Sequence, residues 1–172
     1  MIIILMGPAG AGKTTVGQAL AAAAGWSFHD ADALHPLENV AKMSRGIPLT
    51  DVDRQPWLAR VRQLMIDVAA RHGDAVLACS ALKARYRTHL VEGISDVRFV
   101  MLAADPALLR ARLATRRGHF ASTALLESQL LDLEVPEHAL TVSAAQPVPS
   151  IVGEICAAFE LRCRGQSDRL DH

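Results

Sequence analysis

The segment that most constrains this chain starts at its second residue. Ile2-Ile3-Ile4-Leu5-Met6 is an unbroken apolar run rich in β-branched residues, the pattern of a strand buried on both faces of a parallel sheet. It leads directly into Gly7-Pro8-Ala9-Gly10-Ala11-Gly12-Lys13-Thr14, which matches G-x-x-x-x-G-K-[ST] in full. Thr14–Ala24 then reads as a helix closed by Gly25. Strand, glycine-rich turn and helix in that order make a phosphate cradle. The glycines let successive backbone N–H groups turn inward, and the helix adds the positive end of its dipole. Lys13 is the side chain that reaches the outer phosphates, and the Thr14 hydroxyl is a Mg²⁺ ligand. Gly7, Ala9, Gly10, Ala11, Gly12 and Thr15 complete the expected ATP site. A chance glycine turn is the competing explanation, and the flanking strand and helix argue against it.

The rest of the chain continues the alternation. Ser27–Asp30, Ala75–Cys79, Val97–Leu102 and Leu140–Ser143 read as strands. His35–Ser44, Trp57–His72, Leu82–Leu90, Pro106 to about Arg116, Ser122–Leu133 and Pro149–Leu161 read as helices. Thr50-Asp51-Val52-Asp53 supplies capping residues ahead of the long helix at Trp57. Strands alternating with helices predict an α/β fold around a parallel sheet, as one domain over 1–172. The polar, basic, glycine-containing stretch at about 112–122 is expected to be a mobile lid, and 162–172 a frayed tail. There is no internal repeat, and the Ala21–Ala24 run is only a good helix former.

Composition narrows the function classes. Eighteen basic residues balance eighteen acidic ones, which argues against nucleic-acid and membrane-surface roles. Two Trp, one Tyr and four Phe are too few to suggest a base-stacking platform. The three cysteines, Cys79, Cys156 and Cys163, are odd in number and lack metal-ligand spacing, so reduced thiols and a cytoplasmic location are expected. The apolar N-terminus is too short for a signal peptide, and no stretch reaches the ~20 apolar residues of a membrane span.

Several polar groups fall at predicted strand ends, where open α/β sheets bind ligands. Asp30-Ala31-Asp32 is either an acidic turn capping the next helix or a pair with separate tasks, one holding Mg²⁺ and one accepting a hydroxyl proton. The strand Ala75–Cys79 ends in Cys79-Ser80 without an acid, which moves the metal-holding role toward Asp30. Cys79 reads as a small buried hydrophobe. Lys83 and Arg87 follow that strand and suit an anionic substrate, whereas Arg85 reads as a solvated helix residue. Arg110, Arg112, Arg116 and Arg117 form a basic cluster. Arg112 and Arg116 share a helix face, and arginine is suited to clamping a phosphoryl group. His35, Trp57 and His119, taken singly, read as packing residues.

With these residues in view the chain resembles the gluconokinase family of shikimate-kinase-like P-loop kinases. The resemblance runs from Ile4 to about Ile155. It is carried by the P-loop, Asp30-Ala31-Asp32-Ala33-Leu34-His35-Pro36, Pro48-Leu49-Thr50-Asp51-Val52-Asp53-Arg54-Gln55-Pro56-Trp57-Leu58 and Cys79-Ser80-Ala81-Leu82-Lys83. Arg112, Arg116, His119-Phe120, Ser128-Gln129 and Leu133-Glu134 extend it. The resemblance implies a five-stranded parallel sheet flanked by helices, and phosphorylation of D-gluconate by ATP with Mg²⁺. It implies Asp30 at the metal and Asp32 at the attacking hydroxyl. It places His35, Lys83, Arg87 and His119 at the sugar acid, Arg116 and Arg112 in the lid, and Gln146 near adenine. It also implies a homodimer. Pro8-Ala9 departs from the small polar pair of other members, as does Arg117-Gly118 from a Lys-Asn pair. Two alternatives stay open: a kinase for another small hydroxylated acid such as shikimate, or a P-loop binding module without turnover.

Overall fold

The computed structural model describes residues 1–115 and 123–163. Its strands form one sheet of five, in the order β2-β3-β1-β4-β5. β1 spans Ile2–Met6, β2 Ser27–Asp30, β3 Ala75–Ala78, β4 Val97–Ala103 and β5 Leu140–Ser143. All neighbouring pairs run parallel. β1 is central and its five residues are buried. Its side chains alternate between two cores, as a period of two requires. Ile3 and Leu5 join Val16, Leu20, Leu102 and Ile151 on one face. Ile2, Ile4 and Met6 join Trp57, Met65 and Leu90 on the other.

The helices are α1 Lys13–Ala24, α2 Leu37–Ser44, α3 Asp51–Ala70, α4 Ala84–Val91, α5 Pro106–Thr115, α6 Thr123–Asp132 and α7 Val148–Ala158. α1 lies close to β2 because Gly17 has no side chain: a Cβ there would sit 2.5 Å from the Phe28 ring. Chain order reverses about β1, so the carboxyl ends of β1, β3 and β2 open on one crevice. None of the helices among the described residues is long and apolar enough to cross a membrane.

Two expectations change. α3 starts at Asp51 and runs through Pro56, where the sequence suggests a start at Trp57. A proline inside a helix loses one backbone bond and costs about 3 kcal/mol. Here Thr50 and Asp53 form a reciprocal capping box that fixes the first turn. The same helix buries Trp57, Leu58, Val61 and Met65, each worth about 1.5–3 kcal/mol, so packing outweighs the proline. Second, Cys156 and Cys163 form a disulfide, and only Cys79 is a free thiol among the described residues. α7 ends at Ala158 and the chain folds back, with the Leu161 N–H donating to Cys156 O. That turn brings the two Cα atoms to 6.4 Å, within bridging range.

Candidate active site

The P-loop lies between β1 and α1. Gly10 (φ 85°) and Gly12 (φ 92°) take left-handed conformations that a side chain would strain. Gly12 is the N-cap of α1, and no side chain caps that end. A helix N-terminus without a side-chain cap offers its N–H groups to an anion. The Lys13 ammonium donates to Gly7 O at 2.9 Å and Pro8 O at 3.0 Å. Arg112 of α5 donates to Gly10 O at 3.3 Å and to Ala144 O, beyond β5, at 2.7 Å.

A cavity of about 670 Å³ opens over this loop, and Gly10, Ala11, Gly12, Lys13, Thr14 and Thr15 line it. Its volume falls in the range of small-molecule sites. Arg112, Ala144, Gln146 and Val148 bound one part, and Asp30, Asp32, His35, Arg54, Trp57 and Asp132 another. The expected nucleotide residues therefore meet the expected Asp30, Asp32 and His35 in one space. The Gln146 amide lines it while donating to Glu154 at 3.2 Å.

Asp30 caps the turn that follows it, as one of the two sequence readings had it, and also touches the P-loop. One carboxylate oxygen accepts from the Asp32 N–H at 3.0 Å and caps a 3₁₀ turn over Ala31–Leu34. The other accepts from the Thr14 hydroxyl at 2.8 Å. A hydroxyl and a carboxylate in contact are hard oxygen donors of the kind Mg²⁺ takes alongside phosphates and water. No cluster of three or more His, Cys, Asp or Glu residues placed to hold a metal occurs among the described residues. Cys79 is fully buried, and its thiol is pushed up to about 12 by burial and then by the Asp32 carboxylate. It stays a protonated, buried thiol.

Trp57 fixes the same turn from α3: its indole N–H donates to Ala31 O at 2.7 Å. His35 stacks on Trp57 with centroids 4.7 Å apart and planes 9° from parallel. The buried Asn39 amide donates to Asp53 O at 2.7 Å, which fixes that nitrogen as Nδ2. The same nitrogen lies 3.4 Å from His35 Nδ1. Nδ1 therefore accepts and Nε2 carries the proton. Burial, then the Arg54 charge, lower the His35 pKa from 6.5 to about 4. Between those values the unfolded chain binds a proton that the folded chain does not, so stability rises with pH there and falls on acidification. The contribution is on the order of 1–2 kcal/mol after solvent screening. Wild-type Tm should fall more steeply from pH 6.5 to pH 4 than that of His35→Gln. Parallel curves would place the acid sensitivity elsewhere.

The cations differ from expectation. Arg87 is buried, and its guanidinium donates to Ala81 O at 3.0 Å and Leu82 O at 2.9 Å. Ala81 is a non-glycine residue at φ 42°, so Arg87 braces a strained turn after β3 and does not line the cavity. Its guanidinium serves that turn and not the cavity where a substrate role was expected. Lys83 does not line the cavity either; it pairs with Asp132, which does, at 3.0 Å and with Asp51 at 3.4 Å. Burial opposes its charge, but Asp132, Tyr86 and Asp51 offset that and its pKa is raised. Arg85 pairs with Asp51, consistent with its reading as a helix-surface residue. Arg116 and His119 lie outside the described residues.

Arg54 is the cavity cation that reasoning from the sequence passed over. It is 11% exposed and bonds Asp132 at 3.2 Å and the Tyr86 hydroxyl at 3.1 Å. Tyr86 in turn donates to Asp51. Tyr86, Gln129 and Asp132 were missed too. The motif around Arg54 and Trp57 was visible, but it supported a family likeness and no role.

A family profile described as "Shikimate kinase" matches residues 9–140. A curated gluconokinase of Gluconobacter oxydans (strain 621H) is 45% identical over 162 residues, covering 92% of this chain and 90% of its own. The crystal structure of a gluconokinase from Sinorhizobium meliloti 1021 superposes with a TM-score of 0.81 at 44% identity, covering 92% of this chain and 90% of that one. A shikimate kinase from Acinetobacter baumannii in complex with shikimate gives 0.58 at 19% identity, covering 99% and 95%, a likeness of fold alone. Within the shikimate-kinase-like P-loop kinases, this chain belongs to the gluconokinase family.

Proposed function

We propose that the protein transfers the γ-phosphoryl of ATP to the terminal hydroxyl of D-gluconate, giving ADP and 6-phosphogluconate. The observation that carries this reading is the single cavity joining the P-loop to Asp32, His35 and Arg54. Triphosphate lies along the P-loop, with the base toward Gln146. The sugar acid lies between the Asp30–Asp32 turn and Arg54, where its carboxylate meets Arg54 with Lys83 beside it. Asp32 accepts the hydroxyl proton as the new O–P bond forms and the bond to the ADP oxygen breaks. Lys13, the amide groups at the start of α1 and Arg116 carry the charge that spreads over the transferring group. Thr14 and Asp30 hold Mg²⁺, which neutralises phosphate charge when bound.

His35, as a neutral Nε2–H donor, reads a hydroxyl. A site built to hydrogen-bond hydroxyls rejects analogues lacking them by ~10⁴-fold or more. ADP release against a panel of sugar acids, polyols, shikimate and AMP tests the reading, with the product located by NMR. Phosphate on the terminal carbon of gluconate, with glucose and shikimate poor substrates, is the expected result. Efficient turnover of shikimate or AMP without gluconate turnover overturns it.

A further inference from the structure

Gln129 of α6 reaches across 120 positions to the P-loop, where its Oε1 accepts from the Ala9 N–H at 2.7 Å. An N–H can only donate, so the oxygen must face Ala9 and the amide cannot be turned the other way. That orientation leaves the Nε2 hydrogens on the opposite branch. Gln129 lines the cavity. No buried side-chain nitrogen or oxygen among the described residues lacks a partner, so Nε2, which has no partner among them, is not buried. The position along the loop is also marked: the Lys13 ammonium rests on Gly7 O and Pro8 O, beside Ala9. The lysine of this loop serves the β- and γ-phosphates. Ala9 and Gln129 therefore stand at the outer-phosphate end.

We propose that Gln129 is a further catalytic residue, whose Nε2 donates to the γ-phosphoryl oxygens while the P-loop itself holds its amide in register. The proposal rests on the assignment of ATP to this cavity. The helix carrying Gln129 is tied to α5, and α5 is itself tied to the P-loop. Arg110 of α5 pairs with Glu127 of α6 at 2.8 Å, and Arg112 of α5 holds Gly10 O. Two adjacent P-loop residues are thus gripped from two helices, and the donor is pre-aimed before nucleotide arrives. A pre-aimed donor needs no reorganisation as charge develops, which is what makes such groups effective. Glutamine meets the requirement where glutamate would not: a carboxylate could accept from Ala9 equally well but would face the triphosphate with a negative charge.

Gln129→Glu keeps the acceptor for Ala9 and removes the donor; Gln129→Met removes both. Each should lower kcat about 10²-fold to 10³-fold, the range for removing one transition-state donor. The KM for gluconate should hold. By calorimetry, Gln129→Glu should weaken a non-hydrolysable ATP analogue far more than ADP, with the wild-type Tm retained. Wild-type kcat in a folded Gln129→Glu protein, or equal loss of ADP and analogue affinity in it, would reduce Gln129 to a strut and overturn the proposal. Failure of the underlying assignment looks different: the wild-type protein itself would not turn over ATP with gluconate.

Discussion

Lys13→Met should abolish useful turnover: kcat falls ~10³-fold or more while the protein remains folded. Lys13 is the first residue of α1, and methionine is an equally good helix former there. The ammonium's bonds to Gly7 O and Pro8 O are lost. Each such bond is worth about 0.5–1.5 kcal/mol net, and a buried carbonyl left without its partner costs about 1–3 kcal/mol, so Tm should fall without unfolding the protein. The catalytic penalty is larger, because a cation placed at the outer phosphates acts on charge that develops in the transition state. Lys13→Arg should not restore the rate, since a planar fork is not a substitute for a compact ammonium in a tight loop. Turnover at saturating ATP, with circular dichroism and Tm as folding controls, is the measurement. A folded Lys13→Met protein with the wild-type rate would remove the P-loop from the mechanism.

What could be read beforehand, and what could not, divides by distance along the chain. β2 at Ser27–Asp30 and β5 at Leu140–Ser143 match their predicted limits, because alternation and turn residues are local. The P-loop was legible for the same reason: its eight residues are contiguous. Asp30 and Asp32 were legible as candidates because the turn that presents them is local too. The partners of Lys83 and Arg87 were not. Both follow β3 and look alike in sequence, yet one faces Asp132, far along the chain, and the other closes on carbonyls a few residues back. Arg54 sat unnoticed within a helix start, since only the packing of α3 against the β2 turn brings it to the cavity. Gln129 and the Cys156–Cys163 bridge depend likewise on how chain segments fold back on each other.

Asp32→Asn should lower kcat by ~10²–10⁴-fold, the usual loss when a general base is removed, and leave ATP·Mg²⁺ affinity near the wild-type value. The prediction follows from how the turn is built. Asp30 accepts from the backbone N–H of Asp32, not from its side chain. Trp57 holds the turn through Ala31 O. The asparagine therefore keeps the backbone contacts of the turn and loses the capacity to accept a proton. The proposed metal role belongs to the neighbouring pair, where the Thr14 hydroxyl already touches Asp30. Asp30→Asn should accordingly raise the Mg²⁺ concentration needed for half-maximal rate, which Asp32→Asn should not. Measuring kcat against Mg²⁺ for both variants separates the two carboxylates. If Asp32→Asn holds kcat and loses ATP·Mg²⁺ affinity, the assignments reverse: Asp32 serves the metal, and the hydroxyl proton leaves by another route.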